Sequence, residues 1–225
     1  MPLSTDPIAA QSLAKLASEQ PGAALVFLRH RLDFCCRGQT SLAAGCAAAG
    51  LDLPAIEAEL ADASRDDRGF VAWEGRPLEA LIDHVLERFH ARHRAELPPL
   101  IVLARRVEER HADKAACPRG LARHLEHMAE ELELHMQKEE QMLFPLIRQG
   151  RGRMALMPVQ VMEEEHKDHA RNLAQLRALA GDYVLPPEAC PTWSALVLGL
   201  SELERALYQH IHLENNVLFP RALRG

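Results

Sequence analysis

The stretch that decides the fold is HMQKEEQMLFP, residues 135–145, because HIHLENNVLFP, residues 210–220, repeats its pattern. Each copy has a His, a Glu four residues later, and then Leu-Phe-Pro. Residues four apart on an α-helix lie on nearly the same face, with Cβ atoms about 5–6 Å apart. The repeat therefore predicts two helices that each present a His/Glu pair, His135 with Glu139 and His210 with Glu214.

Two further histidines extend the repeat upstream. His90 lies in FHARH and His166 lies in EHKDH, which share the same H-x-x-H spacing. His90 precedes His135 by 45 positions, and His166 precedes His210 by 44. These near-equal distances predict a duplicated helical hairpin in which each copy supplies one early His and one later His/Glu pair.

The composition predicts an all-α protein. Of the 225 residues 48% are hydrophobic but only 4% are aromatic, and the apolar positions are mostly Ala, Leu, Val and Met, which favour helices. Proline and glycine mark where helices start and stop. Helices are predicted at about 7–19, 22–32, 41–49, 54–63, 77–110, 118–148, 156–181 and 191–217.

These helices fall into two groups. We predict a small N-terminal helical domain at 1–65, a linker at 66–76 and a helical domain at 77–225. Four long helices joined by short connectors predict an antiparallel four-helix bundle. Pro98 and Pro99 lie within the first long helix and predict a kink or split after Leu97.

The His/Glu set predicts a metal centre in the interior of the bundle. Buried carboxylates and imidazoles are costly unless they are paired or bind metal. Four imidazoles and two carboxylates suit borderline first-row metals, and bridging carboxylates favour two ions, with iron as the leading candidate. Open coordination positions would admit O₂ or NO. A single H-x-x-x-E is usually a surface contact, and a closed structural zinc site stays an alternative, although no Cys lies in this register. The predicted ligands are His90, His135, Glu139, His166, His210 and Glu214.

Other polar residues near the predicted ligands have weaker signals. Glu131 and Glu165 could orient an imidazole or relay protons, or could lie on a solvated helix face. His212 should face away from His210, since it is two residues further along the helix. His93 and His169 are expected to be partners of the ligands or helix-surface groups, and His84, His111, His124 and His127 are expected at the surface or at pocket edges.

Cys35 and Cys36 are adjacent in DFCCRGQTSL. Neighbouring Cα atoms are about 3.8 Å apart, below the usual disulfide range, so a static structural bridge is not expected. The pair suits a readily reduced disulfide, a soft-metal site, or thiolates that receive NO or iron; the alternative is two small buried hydrophobic residues. Nearby basic groups should favour thiolate: Arg29, His30, Arg31 and Arg37. Cys46, Cys117 and Cys190 show no motif spacing and are expected to be incidental.

Composition also limits the partners and the compartment. A net charge of −6 without a basic stripe argues against nucleic acid. The first residues lack a basic leader, and the apolar runs are too short to cross a bilayer, so we expect a cytoplasmic protein that does not bind membranes. Five cysteines, an odd number, are expected to be reduced thiols.

Several motifs together resemble the Repair of Iron Centers family, the YtfE/ScdA proteins: DFCCRGQTSL, VEERHADK, KEEQMLFP, LPPEACPTW and HIHLENNVLFPRAL. The resemblance implies an N-terminal helical domain with a vicinal Cys pair, followed by a hemerythrin-like four-helix bundle with a non-haem di-iron centre. It places the iron ligands at the same six His and Glu positions, with Glu139 and Glu214 as bridges, with or without a bridging oxygen. Arg37 departs from the glycine that often follows the Cys pair.

The same resemblance implies repair of iron–sulfur clusters damaged by oxidative or nitrosative stress, through iron donation or NO handling. Damaged iron–sulfur proteins would be the clients, Cys35 and Cys36 would serve as redox partners or acceptors of NO or iron, and a homodimer is compatible with the family. Two alternatives stay open at this stage. One is a carrier or sensor of O₂ or NO, and the other is a di-iron oxidoreductase such as an NO reductase.

Overall fold

The computed structural model describes residues 7–67 and 70–224. The predicted start of the N-terminal domain at 1–6, linker residues 68 and 69, and residue 225 lie outside the described residues. Within the described ranges the regular elements are helices, with one isolated antiparallel bridge between Ser12 and Ser41. The predicted all-α class is confirmed. None of the described helices combines the length and apolar character needed to span a membrane.

The chain forms two compact units. The first, the N-terminal unit, comprises the described residues of Met1–Pro77 together with Gln209–Arg221. The second, the bundle unit, comprises Leu78–Tyr208 and the described residues from Ala222 onward. The segment Gln209–Arg221 carries the second His/Glu pair, so the two copies of the repeat fall in different units. The domain limits at 65 and 77 stay predictions.

Side-chain caps start two helices of the N-terminal unit. The Ser12 hydroxyl accepts a hydrogen bond from the Lys15 amide, and the Ser41 hydroxyl accepts one from the Ala44 amide. Such caps satisfy amides that have no partner within the helix. The helices are α1 (Leu13–Glu19), α2 (Ala23–Arg29), α3 (Leu42–Ala49) and α4 (Leu53–Ala63), preceded by a 3₁₀ turn at Ile8–Ala10.

The core of the N-terminal unit forms where α2 and α3 both pack against α4. The rings of Phe27 and Phe34 lie 5.9 Å apart, and both side chains are buried. Phe34 directly precedes the Cys pair. The buried aromatic ring therefore anchors the turn that carries the two thiols.

The bundle unit consists of long helices interrupted by wider π-helical turns. The elements in chain order are α5 (Leu78–Val85), a π turn (Leu86–His90), α6 (Ala91–Arg110), α7 (Leu121–Lys138), a π turn (Glu139–Leu143), α8 (Phe144–Arg148), a 3₁₀ turn (Gly152–Ala155), α9 (Leu156–Leu179), a 3₁₀ turn (Gly181–Tyr183) and α10 (Pro191–Leu213). Beyond α10 follow a π turn (Glu214–Leu218) and α11 (Phe219–Arg224).

Four of these helices close into a bundle. Helix α6 packs against α7, and α7 packs against α9. The Arg177 Nε atom of α9 donates to Glu204 of α10 at 3.0 Å. Gly199 of α10 lies so near α6 that an added Cβ would sit 2.5 Å from Leu100 Cδ2. The predicted four-helix bundle is confirmed, and its interior is filled by Leu, Val, Met and Ala.

The predicted split after Leu97 is wrong. Helix α6 runs from Ala91 to Arg110 with Pro98 and Pro99 inside it. Each proline removes one backbone hydrogen bond, but Leu97 and Leu100 on either side are buried in the core and hold the helix in place. The regular α-helical pattern changes earlier, at the π turn before α6.

The connection into α10 brings Cys190 to His111. The Cys190 sulfur lies 3.3 Å from His111 Nε2, and the His111 ring centre lies 4.8 Å from that of Trp193. The His111 contact, followed by backbone N–H groups of Trp193 and Thr192, lowers the pKa of Cys190 to about 7. His111 is buried, so its predicted surface position is wrong; it reaches inward because its ring packs on Trp193.

We expect Cys190 to react with iodoacetamide as a thiol of pKa near 7. Only the thiolate is the nucleophile, so the rate should be nearly maximal above pH 8 and fall about tenfold per pH unit well below 7. His111→Gln should move the midpoint toward the ordinary value of 9.0. The measurement is mass spectrometry of the peptide that contains Cys190. His127→Gln, at an exposed histidine, is the control; a midpoint near 9 in the unchanged protein would contradict the assignment.

We expect Gly152→Ala to destabilise the bundle unit. A Cβ at residue 152 would lie 2.0 Å from the Ala222 carbonyl oxygen, which is backbone and cannot move aside. The free energy of unfolding should fall by about 1–3 kcal/mol, measured by urea denaturation. Arg153→Ala, at the exposed neighbouring position, should change it by less than about 0.5 kcal/mol. Equal effects of the two substitutions would show that the close approach of residue 152 to Ala222 does not determine the free energy of unfolding.

Candidate metal centre

His135 and Glu139 meet as the repeat predicts. His135 lies in the last turn of α7, and Glu139 opens the π turn that follows. The His135 Nε2 atom is 3.4 Å from Glu139 Oε2, and the side chains are 1% and 0% exposed. A carboxylate buried this completely needs compensating positive charge. The pair therefore has the character of a ligand pair rather than a surface contact.

Two further imidazoles of the bundle unit join this pair. The His90 Nε2 atom is 3.3 Å from the same Glu139 oxygen, and the His166 Nε2 atom is 3.1 Å from that of His135. Ligand atoms of His135, Glu139 and His166 all lie within 4.8 Å of one another. The bundle unit thus brings together its four predicted ligands, and all four side chains are buried.

The N-terminal unit contains the second copy of the pair. His210 lies near the end of α10, and Glu214 opens the next π turn. The His210 Nε2 atom is 3.1 Å from Glu214 Oε1, and both side chains are 0% exposed. The second pair therefore repeats the spacing and the burial of the first.

The outer nitrogens of two imidazoles contact carboxylates. The His90 Nδ1 atom lies 2.8 Å from Glu140 Oε1, and the His135 Nδ1 atom lies 2.9 Å from Glu165 Oε2. A carboxylate on Nδ1 holds the proton there and leaves the Nε2 lone pair for a metal, and metal-binding His residues usually have such a hydrogen-bond partner. In both residues Nε2 points toward Glu139.

Cations hold these two outer carboxylates in place. Arg94 Nη1 donates to Glu140 at 2.8 Å, and Lys138 forms an ion pair with Glu165. The His135 hydrogen bond lowers the pKa of Glu165 to about 2; burial opposes this effect and Lys138 adds to it. Burial acts to raise the pKa of Glu140, but Arg94 and His90 outweigh it and the net pKa is lowered. Both carboxylates are therefore ionised acceptors at neutral pH.

The sequence pattern anticipated only one of these carboxylates. Glu165 was a candidate for orienting an imidazole, and its contact with His135 has that geometry. Glu140 was missed because it directly follows a predicted ligand and its target, His90, is 50 residues earlier. Glu131 instead accepts a hydrogen bond from Asn172 at 2.6 Å. The spacing of these glutamates in the sequence does not show which of them contacts an imidazole.

The π turns explain why both copies of the repeat end in Leu-Phe-Pro. The Phe144 amide donates to the Glu139 carbonyl, and the Phe219 amide donates to the Glu214 carbonyl, five residues back in each case. A proline follows each Phe and has no amide hydrogen to continue the helix, and its ring would clash with the carbonyl four residues earlier. A widened turn relieves that clash, and such turns are frequent at functional sites. Each one begins at the predicted carboxylate ligand.

The remaining histidines are more buried than predicted. His93, His124 and His169 are buried, so the surface alternative is wrong for these three. For His93 and His169 the other alternative, a partner of the ligands, stays a prediction. The His169 ring meets that of His135 edge-on at 4.9 Å, and the His124 Nε2 atom lies 2.9 Å from the Asn172 carbonyl. Apolar packing between long helices leaves little solvent-facing surface for them. His127 is exposed and His84 is half-buried, as expected.

His212 faces away from the His210 pair, as predicted. The Ser18 hydroxyl lies 3.1 Å from its Nε2 atom, and the Phe34 ring centre lies 5.2 Å from its own. Burial lowers the pKa of His212 to about 4, partly opposed by the Phe34 carbonyl. His212 is thus a neutral ring at physiological pH that packs beside the residue preceding the Cys pair.

The Cys pair forms a compact turn around Asp33. Cys35 is buried, Cys36 is half-buried, both are free thiols, and their sulfurs are 3.6 Å apart. The Asp33 Oδ1 atom accepts hydrogen bonds from the Cys35 thiol at 3.4 Å and the Cys36 amide at 2.9 Å. The pair is accordingly a dithiol, neither cross-linked nor fully buried.

The expectation that nearby basic groups favour thiolate is wrong for Cys35. Its hydrogen bond with Cys36, its burial and the charge of Asp33 raise the pKa of the Cys35 thiol well above its ordinary value. Arg29 and His30 instead bind Glu59, at 2.7 and 2.9 Å. These two basic groups therefore pair with another carboxylate, and the Cys35 thiol contacts the Asp33 carboxylate.

The carbonyl of Cys35 is held by the segment that follows Glu214. Asn215 Nδ2 donates to this oxygen at 3.3 Å, and Asn216 Nδ2 donates to it at 3.0 Å. These contacts lie within the N-terminal unit. The Cys turn and the second His/Glu pair are thus connected through two adjacent amides.

Comparison with known proteins finds two domain families along the chain. Residues 81–222 match the hemerythrin HHE cation-binding domain, and residues 9–64 match ScdA_N, a domain of unknown function (DUF542). The chain is 46% identical to the iron-sulfur cluster repair protein YtfE of Citrobacter koseri over 96% of its own length and 97% of that protein. Identities are 44% to the same-named protein of Musicola paradisiaca and 46% to that of Escherichia coli O157:H7, with the same coverage.

These matches span nearly the whole chain, and the domain match covers every predicted His and Glu ligand. The chain therefore belongs to the Repair of Iron Centers family, the YtfE proteins, and its C-terminal part is a hemerythrin HHE cation-binding domain.

Proposed function

We propose that this protein repairs damaged iron–sulfur clusters and holds two non-haem iron ions for that purpose. The observation that carries the proposal is the buried Glu139 carboxylate, whose Oε2 atom lies 3.3 and 3.4 Å from the Nε2 atoms of two different imidazoles. One oxygen between two imidazoles suits a bridge between two ions. The proposed ligands are His90, His135, Glu139, His166, His210 and Glu214, with both Glu as bridges.

The donor set fits iron better than a structural zinc ion. Imidazole and carboxylate ligands suit iron, whereas closed zinc sites usually include Cys and have four ligands in all. Two His per ion and two shared Glu leave coordination positions open. Iron bound at this site would be redox-active, and it could be donated to a cluster or could bind NO or O₂.

Carboxylates around this site orient its imidazoles and connect them to solvent. Glu140 and Glu165 hold the Nδ1 protons of His90 and His135, so each ring keeps one orientation. Glu139 and Glu214 are each completely buried, and a buried carboxylate strongly favours a bound cation. The outer carboxylates are one-quarter to one-third exposed, and they can pass protons between the imidazoles and solvent.

The curated relatives are named as iron–sulfur cluster repair proteins, which supports damaged iron–sulfur proteins as clients of this chain. Small molecules such as NO or O₂ would meet the open iron positions. We further propose a cytoplasmic location, where such clients are found, and a homodimer as the oligomeric state.

We expect Glu139→Gln to remove most of the bound iron. The amide preserves the shape of the side chain but removes the charge that compensates the ions, so iron content should fall from about two per chain to below one. Elemental analysis gives the content, and recovery of activity in a purified enzyme with a damaged iron–sulfur cluster gives the repair function. Glu164→Gln, exposed and on α9, is the matched control.

Four results would contradict the proposed site or favour another function. Zinc in place of iron in the unchanged protein, or iron retained in Glu139→Gln, would contradict the site. Reversible O₂ binding without repair would favour a carrier, and many turnovers of NO without repair would favour an oxidoreductase.

We expect Glu165→Gln to weaken iron binding without removing it. The substitution takes away the charged acceptor for His135 Nδ1, and loss of such partners usually lowers metal affinity about 10- to 100-fold. Iron release to a chelator should accelerate by a similar factor, followed by absorbance of the chelate. Lys138→Met should give a smaller acceleration, since it removes only the cation beside Glu165; an unchanged rate in Glu165→Gln would show that the contact does not support the ligand.

A further inference from the structure

The turn at residues 33–36 places three metal-binding groups together. We propose that Asp33, Cys35 and Cys36 form a binding site for one thiophilic divalent metal ion. One ligand atom from each residue lies within 4.8 Å of the other two. All three residues belong to the N-terminal unit and come from four consecutive positions.

The distances match those of a tetrahedral site. With metal–sulfur bonds of about 2.3 Å, two thiolates on one tetrahedral ion lie about 3.8 Å apart, and a carboxylate oxygen lies about 3.5 Å from each sulfur. The two sulfurs here are 3.6 Å apart, and Asp33 Oδ1 is 3.4 Å from the Cys35 sulfur. A disulfide would need sulfurs at about 2.05 Å. The turn is therefore close to the shape that an ion requires and far from that of a disulfide.

Hydrogen bonds hold the turn in this shape. The Asp33 Oδ1 atom accepts from the Cys36 and Arg37 amides at 2.9 and 3.3 Å. The Cys35 carbonyl accepts from Asn216 at 3.0 Å. Because the backbone is fixed on both sides of the thiols, an ion can bind with little reorganisation of the chain.

The close packing at residue 38 adds a second constraint. A Cβ on Gly38 would lie 2.6 Å from the Phe34 carbonyl oxygen and 2.6 Å from the Ala14 Cβ atom. Only glycine lets the chain pass this close to α1 directly after the thiols. The position of the ligands therefore depends on the N-terminal helices as well as on local sequence.

Binding would exchange protons for the ion. Each of the two thiols loses its proton to solvent as a metal–sulfur bond forms, so one M²⁺ enters and two H⁺ leave, with no change of oxidation state. Affinity should therefore rise by up to about 100-fold per pH unit below the thiol pKa values. Three protein ligands leave a fourth position open, which allows the ion to pass to or from another donor.

This open site deepens the proposed repair function. If the protein donates iron, a thiol site next to the segment that carries Glu214 is a place where Fe²⁺ can be held before transfer. That role rests on the proposed function. The existence of the site does not, since it follows from the geometry of the turn alone.

The test is titration of the reduced full-length protein with Co²⁺. Thiolate ligands give an intense near-ultraviolet sulfur-to-cobalt charge-transfer band, which imidazole and carboxylate ligands do not produce. We expect the band to saturate when one Co²⁺ ion per chain is bound to sulfur. The band should disappear in Cys36→Ser, and added Zn²⁺ should abolish it in the unchanged protein. Anaerobic competition with Fe²⁺ then measures whether iron enters the same site.

Two variants separate a designed site from an incidental thiol. Asp33→Asn keeps an oxygen acceptor for the amides but loses the charge, and should weaken Co²⁺ binding at least about tenfold, or about 1.4 kcal/mol. Cys190→Ser removes another accessible thiol and should leave the band unchanged. Absence of the band in the unchanged protein, its persistence in Cys36→Ser, or an unaltered affinity in Asp33→Asn would each overturn the proposal.

Failure of this site is distinguishable from failure of the proposed function. Glu139→Gln should lose iron yet keep the charge-transfer band, because Asp33, Cys35 and Cys36 are unchanged. Conversely, Cys36→Ser should keep the iron bound by the His and Glu ligands. A Glu139→Gln protein without the band would show that the thiols do not bind an ion by themselves.

Discussion

The structure depends on two carboxylates, Glu139 and Glu214, that are buried completely beside imidazole rings. An ion in a dry interior is unfavourable by several kcal/mol unless charge and hydrogen bonds compensate it. The bundle unit meets this requirement with two imidazoles at 3.3 and 3.4 Å from one oxygen of Glu139. The outer carboxylates, Arg94 and Lys138 then fix those imidazoles. A bound cation would supply the compensating charge that this arrangement requires, in keeping with the cation-binding domain that the chain contains.

The π turns connect this electrostatic requirement to the chain. Each turn ends or begins at a predicted ligand: His90 closes the first, Glu139 opens the second and Glu214 opens the third. The prolines after the second and third turns carry no amide hydrogen, and the wider turn absorbs the loss. Leu-Phe-Pro thus has a backbone role as well as a packing role. Residue order did not reveal these turns, because a π turn has no hydrophobic period of its own.

The burial and pairing of the His and Glu residues could be predicted because their spacing is local and repeated. A His and a Glu four residues apart share a helix face wherever the helix lies, and a second copy makes coincidence improbable. The partners of the ligands were not predictable in the same way. Glu140 contacts a histidine 50 residues away, and the Cys35 thiol is governed by Asp33 because Glu59 binds the arginine and histidine that were expected to activate it. Which cation pairs with which carboxylate depends on how the helices pack.

The amino-acid sequence by itself determined the helical class, the positions of the long helices within a few residues, and the spacing of the predicted His and Glu ligands. Periodicity and local backbone chemistry are sufficient for these features. Only the tertiary structure decided the rest: that α6 continues through Pro98 and Pro99, that the second His/Glu segment groups with the N-terminal unit, and that Asp33 meets both thiols. These outcomes depend on contacts between residues distant in the chain or on the exact path of a turn, and neither has a signature in residue order.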